Sequence, residues 1–256
     1  MGKKISWKNV NFGDIEHLEI LSSGIIEFKG EKDYLSTKSI QADKIKKAES
    51  KITYQKRPSR ANMQPKINSV WFARMQGSFK VYCFNETNPD EINKYIFSTG
   101  FSGIKVNVER LLPKYVYYYL YSPNFNISKD RYSTGTTQVA ITNSNIERIS
   151  ISFPKSKEQQ QLIVREIEKQ ITRLDTAVES LKATNKKLDV YRKSVLDAAF
   201  DGDLTDTPSR GVDKISNLVE CFRYGTSKKC DLDQTKTPVL RIPNIVGGLI
   251  DASELK

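Results

Sequence analysis

The sequence predicts a mixed α/β (α+β) globule over residues 1–154, a long coiled-coil helix over 155–202, a linker at 203–210 and the start of a second, incomplete globule at 211–256. Three observations predict it. Short strand-like pieces and turn residues fill the first part, no Gly or Pro occurs from Lys157 to Phe200, and a stretch near the end repeats one near the beginning.

In the first globule, "VWFARMQGSFKVYCF" (Val70 to Phe84) reads as two strands around Gly77, with partial period-2 alternation in Phe79, Val81 and Cys83 against Lys80. "NKYIFSTGFSGIKVN" reads as further strand, broken at Gly100 and Gly103. "PKYVYYYLYS" starts with Pro113 at a first helical position and carries five tyrosines between 115 and 121. Such rings can stack on bases, but at helical spacing some must face a core, so packing is the favoured role. Pro154 ends this part.

Ser156, three residues before Gln159, forms a capping-box pattern that opens the long helix, and Gly202 supplies its stop. The 44 residues from Lys157 to Phe200 would reach roughly 66 Å at 1.5 Å per residue. Ile167, Ile171, Leu174, Val178, Leu181, Asn185, Leu188 and Val195 follow steps of four and three, a heptad seam narrow enough to require another helix. A single amphipathic helix lying on its own globule is the alternative, although a globule of about 150 residues spans too little to cover such a rod. Asn185 interrupts the apolar seam. A buried amide bonds in one register only, so it gives up stability to fix which residues face each other, unless it simply faces solvent on a locally rotated seam.

After the polar linker "DLTDTPSRG", the stretch "VLRIPNI" (Val239 to Ile245) aligns with "YLSTKSI" (Tyr34 to Ile40) at an offset of 205, with the turn glycines Gly225 and Gly24 upstream. This suggests a second copy of the first globule, of which about 45 residues are present. So short a piece cannot bury its own apolar surface, and partial disorder or instability is expected there.

The net charge of +11 is uneven: residues 1–156 hold 24 Lys and Arg against 14 Asp and Glu, and the rest hold 17 against 16. Lys44, Lys46, Lys47, Lys51, Lys56, Arg57, Arg60 and Lys66 lie within 23 residues opposed by Glu49 alone. That density suits phosphate neutralisation, or else a solvated face. No apolar run is long enough for a membrane span and no signal peptide opens the chain, so the cytoplasm is the expected compartment. The three cysteines, Cys83, Cys221 and Cys230, suit reduced thiols. The single histidine, His17, has no metal-ligand companion spacing, which argues against a zinc site and a histidine-based triad.

Catalytic motifs are missing. There is no phosphate-binding GxxxxGK[ST], no dinucleotide-type glycine turn and no HEXXH or GxSxG, and "NPD" at 88–90 reads as a β-turn. The chain reads as one that binds and does not catalyse.

The stretch "GTTQVAITNSNIERISISFPKSKEQQQLIVREIEKQITRLDTAVESL", followed by "KSVLDAAFDGDLT", resembles the conserved region of the specificity subunit of type I restriction-modification enzymes. The elements carrying the resemblance are the Gly135 to Gln138 loop, the strand ending at Pro154, the Glu158-Gln159 pair, the long helix, and Ala199 to Leu204. "PVLRIPNIVGGLIDASELK" resembles the opening of that family's target-recognition domain. The resemblance implies a target-recognition domain reading one half of a bipartite double-stranded DNA site. It also implies a helix that spaces two such domains and docks modification subunits, with a restriction subunit completing the complex. This chain would carry no cofactor of its own. S-adenosylmethionine and ATP would sit on partner subunits. With one recognition domain and one helix, the sequence resembles a truncated or half-length form, in which the partner of the long helix either comes from another molecule, as in a homodimer, or does not exist.

Within this frame Lys56, Arg57, Arg60 and Lys66 are the expected phosphate-positioning contacts. Arg74, Arg131, Thr136, Thr137 and Gln138 are candidates for base or backbone contact, with a purely structural turn equally open for 135–138. The competing reading is a coiled-coil adaptor that binds nucleic acid without sequence choice. A nuclease or methyltransferase would need an active site that the sequence does not display.

Overall fold

The computed structural model describes residues 5–41, 44–85, 89–205, 211–225 and 239–253. The chain divides into two compact units, 1–183 and 184–256. In the first, one sheet has the order β2 (Leu18–Ile20), β11 (Phe101–Val106), β8 (Ser69–Ala73), β9 (Val81–Phe84), all antiparallel. A second has the order β6 (Ser50–Ile52), β3 (Lys32–Leu35), β10 (Tyr95–Ser98), β7 (Ala61–Met63), in which β10 runs parallel to β3. β1 (Trp7–Asn11) pairs with β12 (Ser150–Pro154), and β4 (Ile40–Gln41) forms a small hairpin with β5 (Lys44–Ile45).

Strand β8 explains how the layers meet. All five of its residues are buried. Val70 and Phe72 enter a core with Phe12, Ile104, Phe125 and Ile151, whereas Trp71 and Ala73 enter another with Leu35, Met63, Phe97 and Phe101. Alternate side chains of one strand thus serve two cores. The strands around Gly77 fall where the sequence places them, and Gly77 adopts φ 70°.

Two local expectations are corrected. Gly103 does not break a strand but lies inside β11 opposite Trp71, where a Cβ would come within 2.6 Å of the indole ring. Glycine is there for space. Pro89 and Asp90 are not in a β-turn but open the helix α1 (Pro89–Lys94), with acidic residues in its first turn as the helix dipole favours. Asn88 lies outside the described residues.

Helix α2 (Pro113–Tyr121) begins at Pro113 as expected and buries Val116 and Leu120. Its tyrosines mainly pack: Tyr115 and Tyr119, one turn apart, donate their hydroxyls to Ser152 O and Ser150 O and tie the helix to β12. Burial pushes the Tyr119 hydroxyl up to about 12. A tyrosine whose folded value exceeds its ordinary value of 10 contributes stability that is complete below pH 10 and lost as the pH rises through the folded value. Alkaline unfolding is therefore expected to begin above about pH 10, and Tyr119→Phe should make that loss shallower in a circular-dichroism titration. An unchanged alkaline limb would sink this assignment.

The helices α3 (Pro123–Arg131) and α4 (Asn143–Ile146), not anticipated from the sequence, are capped by Ser122 and Thr142. Cys83, partly buried in β9, has its thiol pushed up to about 12 by burial, while Cys221 is exposed. At pH 8 iodoacetamide should modify Cys221 within minutes and Cys83 only after denaturation, as read by peptide mass mapping.

Helix α5 (Lys157–Asp201) is continuous over 45 residues. Ser156 caps it through Gln159 N at 3.4 Å. At the far end Gly202, with φ 85°, and Asp203 return their amides to Ala199 O and Ala198 O, a Schellman closure. Gln160 and Val164 are its buried residues. The Gln160 amide is fully engaged: Nε2 donates to Pro154 O and Arg110 O, and Oε1 accepts from Leu112 N. Lys114 adds an ion pair to Glu168 at 2.6 Å.

In the second unit a short helix α6 (Ile215–Leu218) and a hairpin of β13 (Ile245–Val246) with β14 (Leu249–Ile250) are described. The 205-residue offset found in the sequence reappears here as conformation. Ile40 faces Ile45 as Ile245 faces Ile250. Lys46 N to Ser39 O at 2.8 Å is matched by Asp251 N to Asn244 O at 2.7 Å. Ser36 N to Ser39 Oγ at 3.2 Å is matched by Arg241 N to Asn244 Oδ1 at 3.0 Å. Ser39 and Asn244 are both buried. The upstream glycines do not match in conformation, since Gly24 has φ 135° and Gly225 has no positive φ.

Candidate nucleic-acid interface

The connection from β8 to β9, residues 74–80, closes through Ala73 N to Lys80 O at 3.0 Å. Beside it lies a second loop, closed by the reciprocal bonds of Thr134 and Ala140 at 3.0 and 3.1 Å. Gly135 makes this closure possible: it sits at φ 129°, and a Cβ would lie 2.5 Å from Gln138 O. Thr136, Thr137 and Gln138 are left exposed at the tip. The two loops are joined edge to edge by Gln76 N to Val139 O, Ile141 N to Arg74 O, and Arg74 Nε to Ile141 O at 2.8 Å. Burial lowers the Arg74 pKa from its ordinary value.

On the other flank, Arg74 N donates to Gly100 O and Thr99 N to Arg60 O, both at 2.9 Å. A Cβ on Gly100 would lie 3.1 Å from the Thr37 methyl and 3.6 Å from Arg60 Nη2. Lys80 Nζ donates to Thr37 O. The fold thus assembles Arg60, Arg74, Lys80, Thr37 and the 136–138 tip into one contiguous surface from segments far apart in sequence. Arg131 is exposed at the end of α3, next to Asp130, whose carboxylate accepts from Gly77 N at 3.1 and 3.2 Å.

The other positioning candidates sit elsewhere. Lys56 is exposed in the loop that leads to Arg60, and Arg57 lies over the Tyr54 ring at 4.2 Å with a guanidinium bond to Tyr54 O. Lys66 pairs with Glu19 at 3.3 Å, at the opposite end of β8 from Arg74. Five strand residues separate the two ends, about 17 Å. Lys66, the last cation of the dense run, therefore does not share the surface that holds Arg74. Sequence reasoning missed Lys80 and Thr37, although Lys80 lay within the strand pair already read.

Seam residues of α5 show a graded exposure. Ile167 is half-buried, and Ile171, Leu174, Val178, Leu181, Asn185, Leu188 and Val195 are exposed, with Leu174 at 65% and Leu181 at 69%. Among the described residues the seam meets no second helix. Asp14, Glu16 and His17 gather ligand-type atoms within 4.8 Å of one another. The buried His17 already has Lys8 Nζ at 3.0 Å from Nε2, however, and an ammonium there opposes a cation. No helix among the described residues is long and apolar enough to cross a membrane.

No curated protein sequence matches the chain. Two solved structures share the fold. The first belongs to a study of complex assembly and conformational transition of the type I R-M system, with TM-score 0.62, 23% identity, and 81% of this chain and 53% of that one covered. The second is the HsdS subunit from Thermoanaerobacter tengcongensis, with TM-score 0.60, 23% identity, and coverage of 81% and 51%. The chain spans about half the length of these structures. The family model for the type I restriction modification DNA specificity domain matches residues 4–189, and the chain belongs to that family.

Proposed function

We propose that the chain is a non-catalytic specificity subunit, reading one half of a bipartite DNA target and docking modification subunits. The observation that carries this reading is the joining of the 74–80 and 134–140 loops, rimmed by Arg60, Arg74 and Lys80, on a domain of this family. Cationic side chains position the protein on phosphates, and exposed polar tips such as Thr136 to Gln138 are suited to base edges. The conformational repeat at offset 205 supports residues 211–256 as the beginning of a second recognition domain. The exposed seam of α5 supports helix pairing, with a second copy of the chain as its partner. S-adenosylmethionine and ATP belong to the modification and restriction subunits, and the complex would work in the cytoplasm.

The test is selection from a random duplex library by the purified protein with a modification subunit. Enrichment of a defined sequence is expected. Equal affinity for all duplexes, all of it removed by salt, would favour the adaptor, and turnover by the chain alone would overturn the non-catalytic assignment. Arg60→Ala and Lys80→Ala should weaken binding uniformly across sequences, each reducing the slope of log K against log salt by about 1.

A further inference from the structure

The hairpin tip beside the 136–138 loop carries two large apolar side chains in water: Met75 is 42% exposed and Phe79 52%. Its backbone is held from behind by a device that is costly to build. Lys129, 1% exposed, donates its ammonium to Ser78 O and stands 6.0 Å from the Phe79 ring centroid. The neighbouring Asp130 accepts from Gly77 N. A buried lysine on Ser78 O and a carboxylate on Gly77 N fix two consecutive residues of a surface turn and make the tip rigid, so Met75 and Phe79 are presented and not merely left over.

Their surroundings identify the occupant. Arg74 and Lys80 bracket the tip in sequence, Arg131 lies next to its brace, and the carboxylate of the brace, Asp130, is engaged with backbone. An apolar prominence inside a cationic rim complements a polyanion that also offers apolar groups. In the major groove of duplex DNA the apolar group among the base edges is the C5 methyl of thymine.

We propose that Phe79 and Met75 read thymine methyl groups within the half-site, so that part of the specificity of this domain is apolar and resides on the 74–80 hairpin. This rests on the recognition function proposed above and names residues beyond its charged and polar contacts.

The experiment uses the full chain with a modification subunit and two random duplex libraries, one made with thymine and one with uracil, which lacks the methyl. Wild type should enrich a sequence from the thymine library, and replacing thymine by uracil in that sequence should weaken binding by about 4-fold for each methyl contacted. Phe79→Ala with Met75→Ala should lose this discrimination, giving equal affinity for the thymine and uracil forms, while its melting curve and its salt-dependent binding to unselected duplex match wild type. Wild type that binds both forms equally would overturn the proposal, as would a double variant that still discriminates. A double variant that loses affinity with no uracil effect in wild type would make the tip a wedge between base steps, also against the proposal. Failure of the thymine library to enrich any sequence would instead overturn the recognition function itself.

Discussion

Gly103→Ala is expected to destabilise the first unit by about 1–3 kcal/mol, a large fraction of the roughly 5–15 kcal/mol that holds a domain together. The added Cβ would lie 2.6 to 2.8 Å from three atoms of the Trp71 ring. That ring cannot retreat: it is fully buried, stacked on Phe97 at a centroid distance of 4.5 Å, and its Nε1 donates to Ser69 Oγ at 2.8 Å. Moving it would disturb both sheets at once. The measurement is urea denaturation followed by tryptophan fluorescence. A midpoint unchanged from wild type would mean that the strand can shift and that Gly103 is not required by Trp71.

Leu174→Asp combined with Leu181→Asp should abolish self-association of the chain while leaving the first unit folded. Both side chains stand mostly in water in the isolated chain, and each would contribute about 1.5–3 kcal/mol if buried against a second helix. Losing two per helix, and placing carboxylates at the seam, should weaken pairing by at least about 1000-fold. Analytical ultracentrifugation reads this directly, as dimer mass for wild type and monomer mass for the variant. A wild type that is monomeric both alone and with a modification subunit would sink the pairing proposal.

How much of this was legible beforehand differed by element. The long helix was, because a run without Gly or Pro, a Ser cap and a closing Gly are local signals, and the structure returns its ends almost unchanged. The Gly77 hairpin and the start of α2 at Pro113 were legible for the same reason. The 205-residue repeat was weak as letters and clear as hydrogen bonds, since Ser39 and Asn244 play one role with different side chains. Gly103 was misread because a glycine demanded by a neighbouring ring looks, in one dimension, like a glycine that ends a strand. Strand β8 carries no polar-apolar alternation for the sequence to display, because both of its faces are buried.

By itself the sequence determined the order of the local parts: a basic mixed α/β globule, one long helix without Gly or Pro, and a short stretch near the end that repeats one near the beginning, together with the Gly135 to Gln138 loop. These depend on local backbone preference and on periodicity, which neighbouring residues settle among themselves. Tertiary structure alone decided which cations share a surface. It separated Lys66 from Arg74 by the length of a strand, brought Lys80 and Thr37 to Arg60, and placed a buried lysine behind the 74–80 tip. The reason is that charge density along a chain is a property of sequence, whereas a binding surface is made where distant strands end together, and their register is set by cores that bury both faces of β8.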